Sequence, residues 1–500
     1  RTALIAALSL ALGACAVTPE PFAESDNASR SADLLARTTA DQEPVTGPIT
    51  LYEAMARAIK YNLDYRVEMM NQAVQAKDLD LRRYDMLPKL VANLDYAGRD
   101  NYSGGFSRSL LTGRVSLEPS TSSDKNVLQS DLTLSWDVLD FGLSYVRAQQ
   151  AGDDVMVAEE RKRKVINRII EDVRSAFWRA ASAERLLNKT VELESVTRSA
   201  LAQAEQQASS GLTRPMAALG YERELLSIQR DSQSLSRELS VAKQQLAALM
   251  NLPPDTQYTV AVPPSNITWQ ALQAPYADML RLAIANRPEL REVAYQMRAN
   301  ERETTAALLR ALPSLRLFLG LDWSDNSFLY NNNWTGYGAR ASWNLLNVFR
   351  LPAEKEKIRS QGELLDTRAL ALTMAVSTQV TVSRARYEMR LREMQTAARF
   401  YQVQQRIERQ IDSGFKAQSV SRQTLIREQM NTVVAEVRFD VAQADLQNAY
   451  ANVYAAVGID PIDASMSTDD SVQVLSGKLR EMWSRRDDAV AMMTVAGAAR

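Results

Sequence analysis

A chain of 500 residues would ordinarily divide into about three domains of about 150 residues each. Its 18 Gly and 16 Pro make up only about 7% of the residues, against about 12% on average, so turns are few and regular elements long. Lys and Arg number 59 and Asp and Glu 60, a net charge of -1 that offers nucleic acid no basic field. The absence of histidine removes His-based triads, the commonest general base and the commonest zinc ligand together. The chain also has no P-loop and no Gly-x-Ser-x-Gly elbow, so the reading is of a protein that is not an enzyme and needs no cofactor.

Arg1, the apolar run Ala3 to Leu12 and small residues at a cut site predict a signal peptide over 1–14. The single cysteine, Cys15, stands where cleavage would expose it, and Leu12-Gly13-Ala14-Cys15 resembles a bacterial lipobox, which makes Cys15 a lipid attachment site. The plainer alternative is an ordinary cleaved signal with an incidental cysteine. With Cys15 as an anchor, no thiol remains for a disulfide, and the exported chain is held by packing alone. No Asp follows Cys15 directly, which by resemblance to Gram-negative lipoproteins favours the outer membrane. Residues 15–49, rich in Pro, Ser, Thr, Asp and Ala and lacking periodicity, predict a lipid-anchored extended linker. No later run reaches 18 apolar residues, so a mature chain that crosses a membrane does so as a closed β-barrel.

From Thr50 the chain is written twice. Leu51, Met55, Ala58, Ile59 and Leu63 recur at helical spacing up to Leu87-Pro88; Met279, Leu280, Ala283 and Ile284 open a second such segment that stops at Leu312-Pro313. Arg66 and Arg291, like the two Leu-Pro pairs, lie 225 residues apart, whereas Trp136 and Trp343, and Asn251 and Gly458, lie 207 apart. A duplicated unit with one loop 18 residues longer in its first copy accounts for both offsets. The predicted first repeat is 50–258, with a helix, a β-hairpin over 88–140 and a coiled-coil hairpin over 145–251. A linker, 259–274, leads to the second repeat, 275–460, with a helix, a hairpin over 313–347 and a coiled-coil hairpin over 352–457. A tail, 461–500, follows, in which Leu475, Leu479, Met482 and Trp483 suggest a short amphipathic helix.

The strands are predicted from alternation. Leu90, Ala92, Leu94 and Tyr96 oppose Val91, Asn93 and Asp95, and Leu128, Leu132, Leu134, Trp136 and Val138 oppose Gln129, Asp131, Thr133, Ser135 and Asp137. In the second repeat Leu315 to Trp323 oppose Arg316, Gly320 and Asp322, and Tyr337, Ala339, Ala341, Trp343 and Leu345 oppose Gly336, Gly338, Arg340, Ser342 and Asn344. Strands of about ten residues, apolar on one side, match transmembrane barrel strands, although a small soluble sandwich with one wet face would alternate likewise. Four strands cannot enclose a lumen when about eight are needed to close even a side-chain-filled barrel, so a barrel would be shared between chains. Between about Tyr145 and Ser209 there is no Pro, and Ile166, Ile169, Val173, Phe177, Ala180, Leu187 and Val191 form a seam at three-and-four spacing. In each repeat two shorter helices sum to about the length of the long one.

This order of parts resembles the TolC family of outer-membrane channels over about residues 50–460. The resemblance rests on the repeat, the Leu-Pro pairs and the turns Ser210-Gly211-Leu212-Thr213 and Ser413-Gly414-Phe415-Lys416. It implies a mainly α fold with a small β part. A homotrimer would share a twelve-stranded barrel in outer-membrane lipid, and a helical tunnel would extend into the periplasm. The function implied is the channel of a tripartite export system, giving passive passage from an inner-membrane pump or transporter and a periplasmic adaptor (membrane fusion) protein. Gly211, Leu212, Thr213, Gly414, Phe415 and Lys416 would meet the adaptor, the glycines permitting the tight turn. Asp131, Thr133, Arg316, Arg340 and Asn344 would face the barrel lumen. The family often narrows its tunnel with acidic residues after the second turn, where this chain has Gln418, Ser421, Arg422 and Gln423; Lys416 and Arg422 are therefore candidate gate residues. A lipid-anchored coiled-coil tether without a pore would explain the anchor and helices, but not four alternating strands.

Overall fold

The computed structural model describes residues 20–209, 215–253, 256–262, 272, 274–463 and 466–485. Two compact units are present. One comprises Arg1–Asn62, Ala176–Pro263 and Thr468–Gly477, the other Leu63–Ser175, Pro264–Ser467 and Lys478–Arg500.

Residues Glu24–Thr38 form a helix, α1, where an extended linker was expected. Glu24 and Asp26 in the first turn and Arg37 in the last complement the helix dipole, and none of its residues is buried. Helix α2, Leu51–Tyr61, is started by a capping-box pair: the Thr50 side chain accepts from the Glu53 N–H at 3.2 Å. Helix α3, Leu63–Tyr84, follows after one non-helical residue, Asn62. The second repeat does the same with α6, Tyr276–Asn286, and α7, Pro288–Arg310, parted by Arg287. Each predicted single helix is thus broken in two, at positions 225 residues apart, and both breaking residues have extended backbone, with ψ of 124° at Asn62 and 127° at Arg287. At Arg287 the cause is Pro288, which forces its predecessor out of the helical region.

Both breaks receive the end of a returning helix. In the first repeat, the second hairpin arm is α5, Pro215–Leu249, and Asn62 Nδ2 donates to the Leu249 carbonyl at 3.4 Å. In the second repeat, α9, Arg422–Val457, ends where Arg287 Nη1 donates to the Ala455 carbonyl at 2.9 Å. The residues that stop these arms, Asn251 (φ 56°) and Gly458 (φ 80°), are left-handed and 207 residues apart. At Gly458 glycine is required twice over, since a Cβ would also lie 2.9 Å from Arg287 N.

The long helices are α4, Val138–Ser209, and α8, Leu346–Lys416, of 72 and 71 residues; at about 1.5 Å per residue each is about 105 Å long. Helix α8 exceeds the predicted length because it begins at Leu346, ahead of Pro352, whose missing N–H removes one bond from the second turn, and continues through Gly414. Its core with α9 has the seven-residue period of a coiled coil: Tyr387 and Met394 face Phe439, Leu446 and Val453, and Ala449 with Ala456. On α4, Ile166, Ile169, Val173, Phe177 and Ala180 are buried as predicted, but the stripe then moves to Ala183 and Leu186, leaving Leu187 half-buried and Val191 54% exposed. A straight helix of 3.6 residues per turn drifts from a 3.5 repeat, and the predicted seam crossed that drift at Glu184. Near its start α4 is laced to α7 by charge: Arg298 and Arg302 both bind Asp153, which is 1% exposed, Arg291 lies 2.9 Å from Glu160, and Arg161 2.9 Å from Glu292.

The predicted tail helix is α10, Val472–Ser484, with Leu475 and Leu479 fully buried. Its start is tied to the N-terminal segment: Val472 N–H donates to both Glu43 oxygens at 3.1 Å, and Lys60 Nζ donates to Glu43 and to the Asp470 carbonyl at 2.8 Å. Burial works to raise the Glu43 carboxyl, but Lys60 and the Val472 N–H prevail and hold it below its ordinary value.

Beside this tie, Arg57 is 2% exposed; its guanidinium donates to Glu53 at 3.0 Å, to the Glu43 carbonyl at 2.8 Å and to the Pro44 carbonyl at 3.1 Å. Arg57→Ala is expected to cost about 2–3 kcal/mol, because it removes a buried side chain and strips three partly exposed acceptors of their donor. Urea unfolding of the detergent-solubilised protein measures this, and Arg57→Lys should recover only part.

Candidate pore wall and helical turn

Strands β1, Lys89–Gly98, and β4, Asn126–Asp137, come from the first repeat, and β5, Ser314–Ser324, and β6, Asn333–Ser342, from the second. They form one antiparallel sheet in the order β1-β4-β5-β6. Between β1 and β4 lies a two-strand ribbon of β2, Gly104–Gly105, and β3, Ser120–Thr121. The chain becomes helical at Val138 rather than after 140, because the Asp137 carboxylate accepts from the Leu139 and Asp140 N–H groups, both at 3.1 Å, and so caps α4. Strand β6 likewise stops at Ser342, before Trp343, Asn344 and Leu345. The Asn344 carboxamide oxygen accepts from Leu346 N at 3.2 Å, at the start of α8, and Asn344 lies outside the ladder in which it was expected.

The register assembles two different faces. On one, Leu90, Ala92, Leu94 and Tyr96 pair with Leu134, Leu132, Ser130 and Leu128. The row continues through Leu317, Leu319 and Leu321 on β5 to Ala339, Tyr337 and Thr335 on β6. This apolar side is open: Leu94 is 73% and Tyr337 83% exposed. On the other face four predicted lumen residues come together. Asp131 pairs with Asn93 and Asp322, Thr133 with Val91 and Gly320, and Arg316 with Asp137 and Arg340. Asn93 Nδ2 donates to the two Asp131 oxygens at 3.2 and 3.0 Å, and Thr133 Oγ1 donates to Asp131 at 2.8 Å.

Sequence reasoning did not single out one contact on this polar face. The Phe318 ring covers Gly338, its direct cross-strand partner, so closely that a Cβ on Gly338 would lie 2.8 Å from the ring. The signal available was a glycine whose cross-strand neighbour, β5, is otherwise rich in large residues. At the end of the sheet away from the helices, the loops are stapled: Asp124 accepts from Ser327 N at 2.5 Å and Oγ at 3.0 Å, and Leu128 N–H donates to Asp325 at 2.7 Å.

The second helical turn differs from its expected form. Gly414 lies within α8, and the residue that adopts left-handed backbone is Gln418, at φ 58°. Glycine at 414 answers a close approach instead, since a Cβ there would lie 2.7 Å from Val420 Cγ2. Gln418 stands 207 residues after Gly211, the spacing of the rest of this part of the repeat, so its sequence counterpart is that glycine. Phe415 and Lys416 form the last turn of α8, and Lys416 Nζ is 2.7 Å from Asp412, which offsets its charge. Arg422 is exposed at the first position of α9, after Ser421, whose side chain accepts from Thr424 N. Gly211, Leu212, Thr213 and Cys15 lie outside the described residues. Among the described residues no group of three His, Cys, Asp or Glu side chains could hold a metal ion, and no helix is long and apolar enough to cross a membrane.

No family model matches the chain, and no curated protein matches it in sequence. Solved structures do match in fold. The CmeC outer-membrane channel of Campylobacter jejuni is similar with a TM-score of 0.64 at 14% identity, over 93% of this chain and 98% of that one. The MtrE outer-membrane channel of Neisseria gonorrhoeae, in its open state, gives 0.62 at 16% identity over 82% and 89%. The outer-membrane protein VceC of Vibrio cholerae gives 0.59 at 12% over 82% and 96%. At these identities the likeness is one of fold, and it is the fold that the sequence resemblance implied: long helices with a small sheet.

Gly338→Ala should cost about 1–3 kcal/mol by driving the new methyl into the Phe318 ring. Combining it with Phe318→Ala should relieve the clash, which a double-mutant cycle in thermal unfolding would reveal as favourable coupling. Near the turn, burial works to raise the Glu428 carboxyl, but Gln404 at 2.9 Å, Asn431 at 3.2 Å and Arg427 at 3.3 Å donate to it and hold it below the usual carboxylate range. A lowered folded value means that the stabilisation is fully present above the unfolded value of about 4.3 and is lost as pH falls from there through the lower folded value. The midpoint difference between wild type and Glu428→Gln should therefore shrink between pH 6 and pH 3, measured by thermal scans.

Proposed function

We propose that this protein is the outer-membrane channel of a tripartite export system, a passive conduit from an inner-membrane pump and periplasmic adaptor to the exterior. The observation that carries this reading is a four-stranded sheet with two unpaired edges, β1 and β6, an open leucine-rich face and an open polar face. Exposed apolar strands with free edges are an aggregation hazard in water, whereas a closed barrel in lipid satisfies both. Because three antiparallel steps separate β1 from β6, the two run in opposite directions, and β6 of one copy continues the antiparallel alternation onto β1 of the next. Two copies would make eight strands, a barrel filled by its own side chains; three make twelve and leave room for water around Asp131, Thr133, Arg316 and Arg340. The likeness to CmeC, MtrE and VceC, each an outer-membrane protein by description, supports the same location.

In this reading Cys15 carries lipid, and the segments around Gly211 to Thr213 and Gly414 to Lys416 meet the adaptor. Lys416 and Arg422 border the periplasmic constriction; Lys416, paired with Asp412, contributes the weaker field of the two.

Purified protein in a planar bilayer, with its mass measured by light scattering from the same sample, tests the reading. A trimer-sized particle giving discrete conductance steps is expected. A monomer with no conductance would overturn it in favour of a tether without a pore.

A further inference from the structure

The polar face of the sheet is divided along its length by charge. Towards the loops, Asp95 pairs with Gln129, and one row further in Asp131 stands directly between Asn93 and Asp322. Within the strands that end of the face carries three carboxylates and no cation; Arg99 and Lys125 lie just past its last row, with Lys125 Nζ over the Tyr102 ring. The middle row is neutral: Val91, Thr133, Gly320 and Gly336. Towards the helices, Lys89 pairs with Ser135, and in the next row Arg316 pairs with Arg340 and with Asp137. The one carboxylate there, Asp137, is committed to the first turn of α4.

Like charges set directly opposite on neighbouring strands repel, and both Asp131 with Asp322 and Arg316 with Arg340 are such pairs. Exchanging one member of each pair would have made two ion pairs on the same scaffold. Instead Arg316 and Arg340 are exposed and form no ion pair among the described residues. The cost is tolerable only where the face is wet, and the charges are then left to act on what passes over them.

We propose that Asp95, Asp131 and Asp322 form a cation-accumulating ring at the outer end of the lumen, and that Lys89, Arg316 and Arg340 form an anion-accumulating ring at its helix end. The two rings are the barrel's own determinants of which charged solutes dwell at each depth. The inference rests on the barrel reading above. Each copy contributes its three carboxylates and three cations to a narrow, low-dielectric wall, which focuses the field of each ring. Successive rows on one face are about 7 Å apart, so the nearest rows of the two rings, parted by the neutral row, are about 14 Å apart, beyond the Debye length of about 8–10 Å near physiological ionic strength, and the rings stay electrically distinct.

The test places single cysteines, in a Cys15→Ala background, at Thr133, next to the acidic ring, and at Ser135, in the Lys89 row. Each is reacted with a cationic and an anionic methanethiosulfonate reagent, with rates normalised to those on a free thiol. The cationic reagent should be favoured at 133 and the anionic one at 135, each by about tenfold at 0.1 M salt. Both preferences should collapse at 1 M salt, where the Debye length falls to about 3 Å. Asp131→Asn with Asp322→Asn should remove the preference at 133 and leave that at 135, and the salt series probes the same field without those substitutions. Equal normalised rates at both positions would overturn the rings while leaving a water-filled barrel intact. If neither reagent reached either position, the polar face would be dry, and the barrel reading would fall with the rings.

Discussion

The unsatisfied edges of the four-stranded sheet constrain everything else in this protein. Strands β1 and β6 each present a row of backbone donors and acceptors that nothing in the described chain pairs, and the faces between them are unlike each other and both open. A soluble domain would cover one face with a helix, but the helices here leave the sheet end-on: α4 begins at the residue after β4 and α8 four residues after β6. Among the described residues the leucines of the apolar face stay uncovered: Leu90 is 63%, Leu94 73% and Leu321 57% exposed. Cover from further copies and from lipid is what the proposed function supplies, and this is why the sheet is its centre.

The duplication explains how one short sheet is held at the end of helices about 105 Å long. In each repeat the helix ahead of the hairpin is broken in two, and the joint is where structure is most specified. Asn62 and Arg287 break their helices at corresponding positions, and each then donates to the end of the returning arm. The two joints use different chemistry, a carboxamide in one and a guanidinium anchored by Glu289 in the other. The geometry they serve is the same, so it is geometry that the duplicated halves have in common here, more than residue identity.

Much of this was legible in the sequence, and the reasons differ by element. Period-two alternation assigned residues 90 to 96, and Leu128, Gln129 and 131 to 137, to the faces they occupy, because a one-residue slip would exchange the faces wholesale. The offsets of 225 and 207 located the repeat from residue identities alone. What was missed lies where local pattern and tertiary geometry part company. Helix α1 has no buried stripe, so periodicity could not report it; dipole-compatible ends were its only signal. The seam on α4 was followed past Glu184 at three-and-four spacing, whereas the buried stripe shifts there to Ala183 and Leu186.

The turn after α8 shows why a motif can be found and yet misread. Ser210-Gly211 and Ser413-Gly414 look alike, which invites pairing them at an offset of 203, yet every structural landmark around them keeps 207. At 207 the counterpart of Gly211 is Gln418, and Gln418 is the residue with positive φ. A non-glycine residue in that region costs about 1–2 kcal/mol, so the turn is held by its surroundings rather than by its own preference. Those surroundings are the contacts of Gly414: Ser419 N and Oγ both donate to its carbonyl, and Val420 packs where a Cβ would have been. The glycine still governs the turn, but from four residues upstream and through packing, which a reading of sequence similarity alone has no means to distinguish from a glycine that makes the turn itself.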